Sequence, residues 1–164
     1  MLSVFIIDAS PLILLAKTKY LHLLTDMAAE VVVPEGVAAE VLCADSSDPA
    51  RKALEAGFGV RYHEGTVPQS VVDWRLGPGD SAVLAIALSR TNCTAVLDDA
   101  LARRCGKALG VRCIGTLGLI VGAKVKGQIP SAQAALLDLV AAGLWLNPAL
   151  VRTVLSSVNE SWPL

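Results

Sequence analysis

Short apolar runs of strand length alternate with helical patterns along this chain, and two of them pass directly into an aspartate and then a helix start. Ser3 to Ile7 (SVFII) is continuous and β-branched, as expected of a strand covered on both faces. Val31 to Val33, Val60 to Tyr62, Ala95 to Leu97 and Arg112 to Ile114 are shorter runs of the same sort, which makes five strands in all. This alternation argues for βαβ units and therefore for a parallel sheet with helices on its faces, an α/β architecture.

The intervening segments carry helix punctuation. Ser10-Pro11 sets a capping residue before a proline at the first helical position. Pro34 starts a second helix, GVAAEVL, and Gly77-Pro78-Gly79 precedes a third, DSAVLAIALSR, opened by Asp80. Asp99 precedes ALARRCGKALG, which ends at Gly110 in the usual C-terminal glycine position, and Thr116 caps a fifth helix. Helices are also expected over Ser131 to Ala142 and from about Ala149 to Val158, whereas Asp45 to Pro49 (DSSDP) reads as a local loop. No repeat or low-complexity linker divides the chain, so residues 1–164 are expected to form one domain, with the helices from about 131 packed on it.

A domain of 164 residues buries roughly 70% of its unfolded surface, so one real core is expected. The chain is 54% hydrophobic and 18% charged, with a mean hydropathy of +0.56. Disorder is thereby excluded, and some apolar surface is expected to serve a partner. The longest uncharged run, between Asp138 and Arg152, is shorter than the roughly 18 residues of a membrane span and holds Gly143 and Asn147-Pro148. The N-terminus has no basic segment and its apolar run is cut by Asp8, so a cytoplasmic location is the default expectation.

Cys43, Cys93, Cys105 and Cys113 never form a C-x-x-C pair, and read as small buried hydrophobes. His22 and His63 are the only histidines, so a metal site here would be built from oxygen ligands. A net charge of −1 gives no general attraction to nucleic acid, and any such contact must be local.

The carboxylates at the ends of the apolar runs therefore need an account. Asp8 ends the first strand at a helix start, the point in open parallel sheets where ligands bind. Glu40 lies on a helix between Val37 and Val41, beside its apolar stripe, and Asp80 aligns with Val83, Leu84, Ala87 and Leu88. Asp98-Asp99 repeats the geometry of Asp8, with one acid more than a cap requires. Arg103, at i+4, would pair with Asp99 and leave Asp98 free. Taken singly, Asp8, Asp80 and one of Asp98-Asp99 have a helix-capping reading worth about 1 kcal/mol, and Glu40 reads as a solvated edge position. Strand-end and helix-start acids all project toward one edge, however. Two such charges about 5 Å apart repel by roughly 3 kcal/mol at an effective dielectric near 20. Convergent acids then need a cation, and an all-oxygen site selects Mg²⁺ or Mn²⁺, the ions of phosphodiester hydrolysis.

The order of these pieces resembles the PIN-domain ribonuclease family, in particular its VapC-type toxin-like branch. The matching residues are IIDASPLI at 6–13, PEGVAAEVL at 34–42, LGPGDSAVLAIAL at 76–88 and VLDDALARRCGKALGVRCIGTLG at 96–118. The resemblance implies a three-layer α/β/α fold around a central five-stranded parallel sheet, and a metal-dependent endoribonuclease acting on RNA. It places the acidic quartet on Asp8, Glu40, Asp80 and one of Asp98 or Asp99, with metal ligands drawn from Asp8, Asp80, Asp98 and Asp99. Ser10 and Thr116 would support the acids. The fourth acid departs from the T-x-D signature of the commoner toxins, which leaves Asp98 and Asp99 as alternatives. The resemblance further implies a homodimer and, for toxin members, a small antitoxin.

Arg103, Arg104, Lys107 and Arg112 cluster in and after the fourth helix, where they could guide RNA phosphates or serve as solvated helix charges. Trp74, Trp145 and Trp162 read as core or interface residues rather than base-stacking platforms. The competing function is a PIN-fold module that acts mainly by binding a partner. A haloacid-dehalogenase-type phosphatase is disfavoured, because Ser10 stands where D-x-D needs its second acid.

Overall fold

A computed structural model describes residues 2–163. Along the chain the elements are β1 (Val4–Ile7), α1 (Ala9–Lys17), α2 (His22–Met27), β2 (Glu30–Pro34), α3 (Glu35–Leu42), α4 (Pro49–Glu55), β3 (Val60–Tyr62), α5 (Gln69–Val72), α6 (Pro78–Ser89), β4 (Cys93–Val96), α7 (Ala100–Ala108), β5 (Arg112–Ile114), α8 (Thr116–Val125), α9 (Ala132–Ala141) and α10 (Pro148–Ser156). The five strands form one sheet in the order β3-β2-β1-β4-β5, and every pairing is parallel. Helices cover both faces, giving the three-layer α/β/α PIN-like architecture.

The uninterrupted apolar character of β1 follows from this burial. Phe5 and Ile7 enter one core cluster together with Val31 and Val33 of β2 and residues of α1, α2, α8, α9 and α10. Ile6 and Val32 point the other way, into a second cluster with Val83, Leu84 and Ile86 of α6 and Ala102 and Cys105 of α7. A strand buried on both faces has no polar side for solvent, so every position is apolar. The edge strands β3 and β5 are short and partly exposed, which is why their sequence signal is weaker. The chain leaves β1 toward β2 and β3, then crosses back to β4 and β5 on the other side. That reversal places a topological switch point at the carboxyl ends of β1 and β4, a crevice where open α/β sheets bind ligands.

Several boundaries differ from the sequence expectations. Helix α1 begins at Ala9 with Asp8 at its N-cap, so Ser10 is an exposed residue of the first turn and not the cap. Pro11 is tolerated there because first-turn N–H groups have no partner inside the helix. Similarly α6 begins at Pro78 with Gly77 at the N-cap, and Asp80 is its third residue. Gly115, and not Thr116, occupies the N-cap of α8.

Three short helices, α2, α4 and α5, lie where no helix was expected, each too short for a full period of hydrophobicity. The DSSDP segment is more than a loop, since the Asp48 side chain accepts from Ala50 and Arg51 N–H to start α4. Cys43 is exposed at the C-cap of α3, whereas Cys93 and Cys105 are buried. Arg112 opens β5 at the opposite edge of the sheet from Asp98, bonded to Asn92 Oδ1 at 2.9 Å, so the four cations do not form one cluster.

No described helix is long and apolar enough to cross a membrane. Helices α9 and α10 bury Leu136, Leu139, Val151 and Leu155 in the same cluster as β1.

Close packing of α7 on β5 depends on Gly106. A methyl group there would overlap Cys113 Sγ and approach Leu84 Cδ2 to 3.1 Å. Gly106→Ala is expected to lower stability in urea unfolding by about 1–3 kcal/mol through overpacking, and Cys113→Ala in the same chain should recover part of that loss.

Candidate active site

Asp8 stands at the end of β1, where its N–H is bonded to Val96 O at 3.2 Å, and apart from an interaction with the adjacent Ala9 N–H its side chain makes no capping bond to α1. The carboxylate faces across the switch point, where it shares a hydrogen bond with Asp80. Helix α6 brings Asp80 there by resting its first turn on Asp8. Gly79 lies so close that a Cβ on it would overlap Asp8 Oδ1. The glycine of the Gly-Pro-Gly-Asp stretch is therefore a packing requirement of the acid pair, a role that its reading as a helix start did not reveal. A helix N-terminus beside the pair also favours negative charge.

Both carboxyls are half-buried and both titrate above the usual carboxylate range. Asp80 is pushed up to about 7, first by burial, then by the charge of Asp8, the bond shared with it, and the charges of Asp99 and Glu40. Asp8 is raised by burial, with Asp98 and Asp99 adding to the effect, while the Ala9 N–H and the bond with Asp80 oppose it. Two carboxyls held together share a proton when no cation is present. Asp80 Oδ1 is buried and has no hydrogen-bond partner. A buried, unpartnered acceptor beside a second carboxylate is an arrangement that a hard cation would satisfy.

The neighbouring Asp98 and Asp99 have separate tasks. Asp98 turns toward α8, where its Oδ1 accepts from Thr116 N and its Oδ2 from Thr116 Oγ1, each at 2.7 Å. Thr116 is fully buried, and this pair of bonds gives α8 the cap its own N-terminal residues lack. Asp99 caps α7 through one oxygen, Oδ1, which accepts from Ala102 N at 2.8 Å. It is exposed, and its charge reaches both Asp8 and Asp80.

The expected Arg103–Asp99 pairing does not form. The Arg103 guanidinium instead donates from Nη1 to Asp98 O at 2.6 Å and Leu97 O at 3.1 Å, because these carbonyls end β4 without strand partners of their own. Asp98, expected to be the free acid, thus has both oxygens engaged. Glu40 is exposed on α3, within electrostatic range of Asp80. Ser10 is exposed and its side chain makes no hydrogen bond among the described residues, and Arg104 is likewise exposed, on α7.

One further carboxylate was passed over. Glu64 follows β3 on the same edge of the sheet, with Oε2 buried and unpartnered and Oε1 beside the first turn of α3 at Gly36. An acid just past a strand was its only signal. Among the described residues, no group of three or more His, Cys, Asp or Glu side chains is poised to hold a metal ion. The edge as it stands is a carboxylate pair with Glu40, Asp98 and Asp99 at longer range.

A family model described as DUF3368, PIN domain, matches residues 4–160. No curated protein matches the chain.

The raised Asp80 carboxyl makes stability depend on pH with a defined sign. Between its unfolded value near 4 and about 7 the folded chain binds more protons than the unfolded one, so stability falls as pH rises through that window. The melting temperature of metal-free protein is expected to decline between pH 4.5 and 7.5. Asp80→Asn should flatten the decline, and added Mg²⁺ at pH 7.5 should reverse it in the wild-type chain only.

Proposed function

The chain belongs to the PIN-domain family, and on that premise we propose that it is a metal-dependent endoribonuclease that hydrolyses RNA phosphodiesters. The single observation carrying this reading is the Asp8–Asp80 pair with its unpartnered buried oxygen at the switch point of the sheet. PIN domains are generally metal-dependent nucleases, which supports the same chemistry.

Asp8 and Asp80 would hold Mg²⁺ or Mn²⁺. Magnesium commonly takes one or two carboxylates and completes its shell with water and substrate phosphate, so a pair suffices. When bound, such an ion polarises the phosphate and stabilises the leaving oxygen of an in-line displacement. In that displacement water adds to phosphorus, the P–O bond to the leaving ribose oxygen breaks, a proton from the water passes to a carboxylate, and the leaving oxygen takes up a proton from solvent. Glu40 and Asp99, both exposed and in range of Asp80, are the groups to accept it. Of the two late acids we favour Asp99 as the fourth member, because one of its oxygens is unoccupied, whereas Thr116 holds both oxygens of Asp98. The Asp98–Thr116 bonds and the Arg103 anchor then fix the loop that carries Asp99.

A toxin role with a small antitoxin, a homodimer and a cytoplasmic location extend the proposal. A second reading, a PIN fold that mainly binds a partner, is favoured by the lack of a three-acid group among the described residues.

Purified protein is expected to cleave single-stranded RNA only with added Mg²⁺ or Mn²⁺. Asp8→Asn should lower the rate by at least about a hundredfold, comparable to removing one transition-state stabiliser in other enzymes. RNA left intact across both metals would favour the second reading.

Asp99→Asn should impair cleavage with little change in melting. Thr116→Val should have the reverse emphasis, lowering stability by about 1–3 kcal/mol as Asp98 Oδ2 loses its partner.

A further inference from the structure

Trp145 is 80% exposed, whereas Trp74 and Trp162 pack partly against the two cores. A large apolar ring in water forfeits a substantial burial energy, so its position calls for a reason. The segment that carries it is held at both ends. Gly143 has φ of +115°, Leu144 N–H bonds to Leu139 O at 2.9 Å, and Asn147 Oδ1 caps α10 by accepting from Ala149 and Leu150 N–H. Leu144 is buried and Leu146 packs on the core, and Trp145 between these two anchors is turned outward. The indole is displayed on fixed backbone and not on a loose loop.

Beside it lies a cleft of about 510 Å³, within the range of small-ligand sites. Trp145, Leu150 and Leu117 supply apolar surface, and Asp99 and Arg103 form the wall shared with the carboxylate edge. Arg103 uses only Nη1 to hold the β4 carbonyls, so its Nε and Nη2 remain available as donors.

We propose that this cleft is a nucleobase subsite in which Trp145 stacks on one unpaired base of single-stranded RNA, with Arg103 reaching its edge or the adjoining phosphate. The inference rests on the ribonuclease reading and deepens it by naming the residues that would hold one unpaired base of the substrate. A planar, uncharged base suits an apolar platform beside carboxylates, where a phosphate alone would be repelled. Since the wall is common to both sites, a base seated here sets a neighbouring phosphodiester toward Asp8 and Asp80. Aromatic stacking tolerates any base, so the subsite selects single strands over duplexes and not one sequence.

The test is binding of 5′-labelled rU6 and rA6 hexamers, read by anisotropy, to the Asp8→Asn protein in EDTA. The RNA then stays intact, and the acid edge carries one charge fewer. Adding Trp145→Ala should weaken both hexamers roughly ten- to a hundredfold, in line with the 1–3 kcal/mol lost per stacked base. Trp145→Phe should stay within about threefold of the parent while losing most of the tryptophan quenching that the hexamers cause. A twelve-base-pair RNA duplex should bind weakly and be indifferent to both changes.

Unchanged hexamer binding in the Trp145→Ala variant, or a loss that Trp145→Phe fails to restore, would overturn the subsite. So would a wild-type dimer that Trp145→Ala dissociates in sedimentation, which would give the face to a second copy of the chain. Cleavage by the otherwise unaltered protein with Mn²⁺ is scored separately. Cleavage without a Trp145 effect on binding removes the subsite alone, whereas Trp145-dependent binding without cleavage removes the nuclease reading alone.

Discussion

Two carboxyl groups, Asp8 and Asp80, are pressed together at the carboxyl end of the central strand, and the rest of the molecule holds them there against their repulsion. Unsupported, acids at this distance would swing apart into water. Here Asp8 is fixed by a strand buried on both faces and hydrogen-bonded on both edges, and Asp80 by a helix whose glycine rests on its partner. The strain is relieved in either of two ways, by a shared proton or by a cation, and the pH decides which is available. This links the apolar core to the chemistry, because rigidity in β1 and α6 is what keeps the pair from separating.

The neighbouring groups divide the remaining work. Asp98 and Thr116 lock β4 to α8, Arg103 closes the carbonyls at the end of β4, and Asp99 is left on the rim with one oxygen to spare. The Trp145 cleft opens from the same rim. Structural capping and the proposed site for phosphodiester chemistry draw on adjacent residues of one loop, so a change that disturbs the cap also moves the rim.

Much of this was legible in the sequence. All five strands could be read, the central β1 and β2 most clearly because a strand covered on both faces must be apolar, and Asp8 stood out where the β1 run breaks. Asp99 as the cap of α7 followed from its place before a helix. What could not be read was direction. Helix α6 starts two residues before Asp80, since proline at the first helical position looks the same from sequence whether the acid caps or follows. Arg103 at i+4 from Asp99 suggested a pair, but unsatisfied carbonyls at the end of a strand compete for the same guanidinium and are closer. Trp145 could be read as a core or an interface residue, and only the structure excludes the core, because exposure depends on the path of one short segment held by Gly143 and Asn147 at its ends. Contacts between residues distant in sequence, such as Asp98 with Thr116, have no periodicity to announce them.

The most direct test of the central claim is proton release on Mn²⁺ binding near pH 7, measured by titration calorimetry in buffers of differing ionisation enthalpy. If Asp8 and Asp80 share a proton that the cation displaces, the apparent binding enthalpy varies with the buffer, and Asp80→Asn removes that variation along with most of the affinity. Binding whose enthalpy ignores the buffer, or binding that survives Asp80→Asn intact, would contradict the assignment of the metal to this pair.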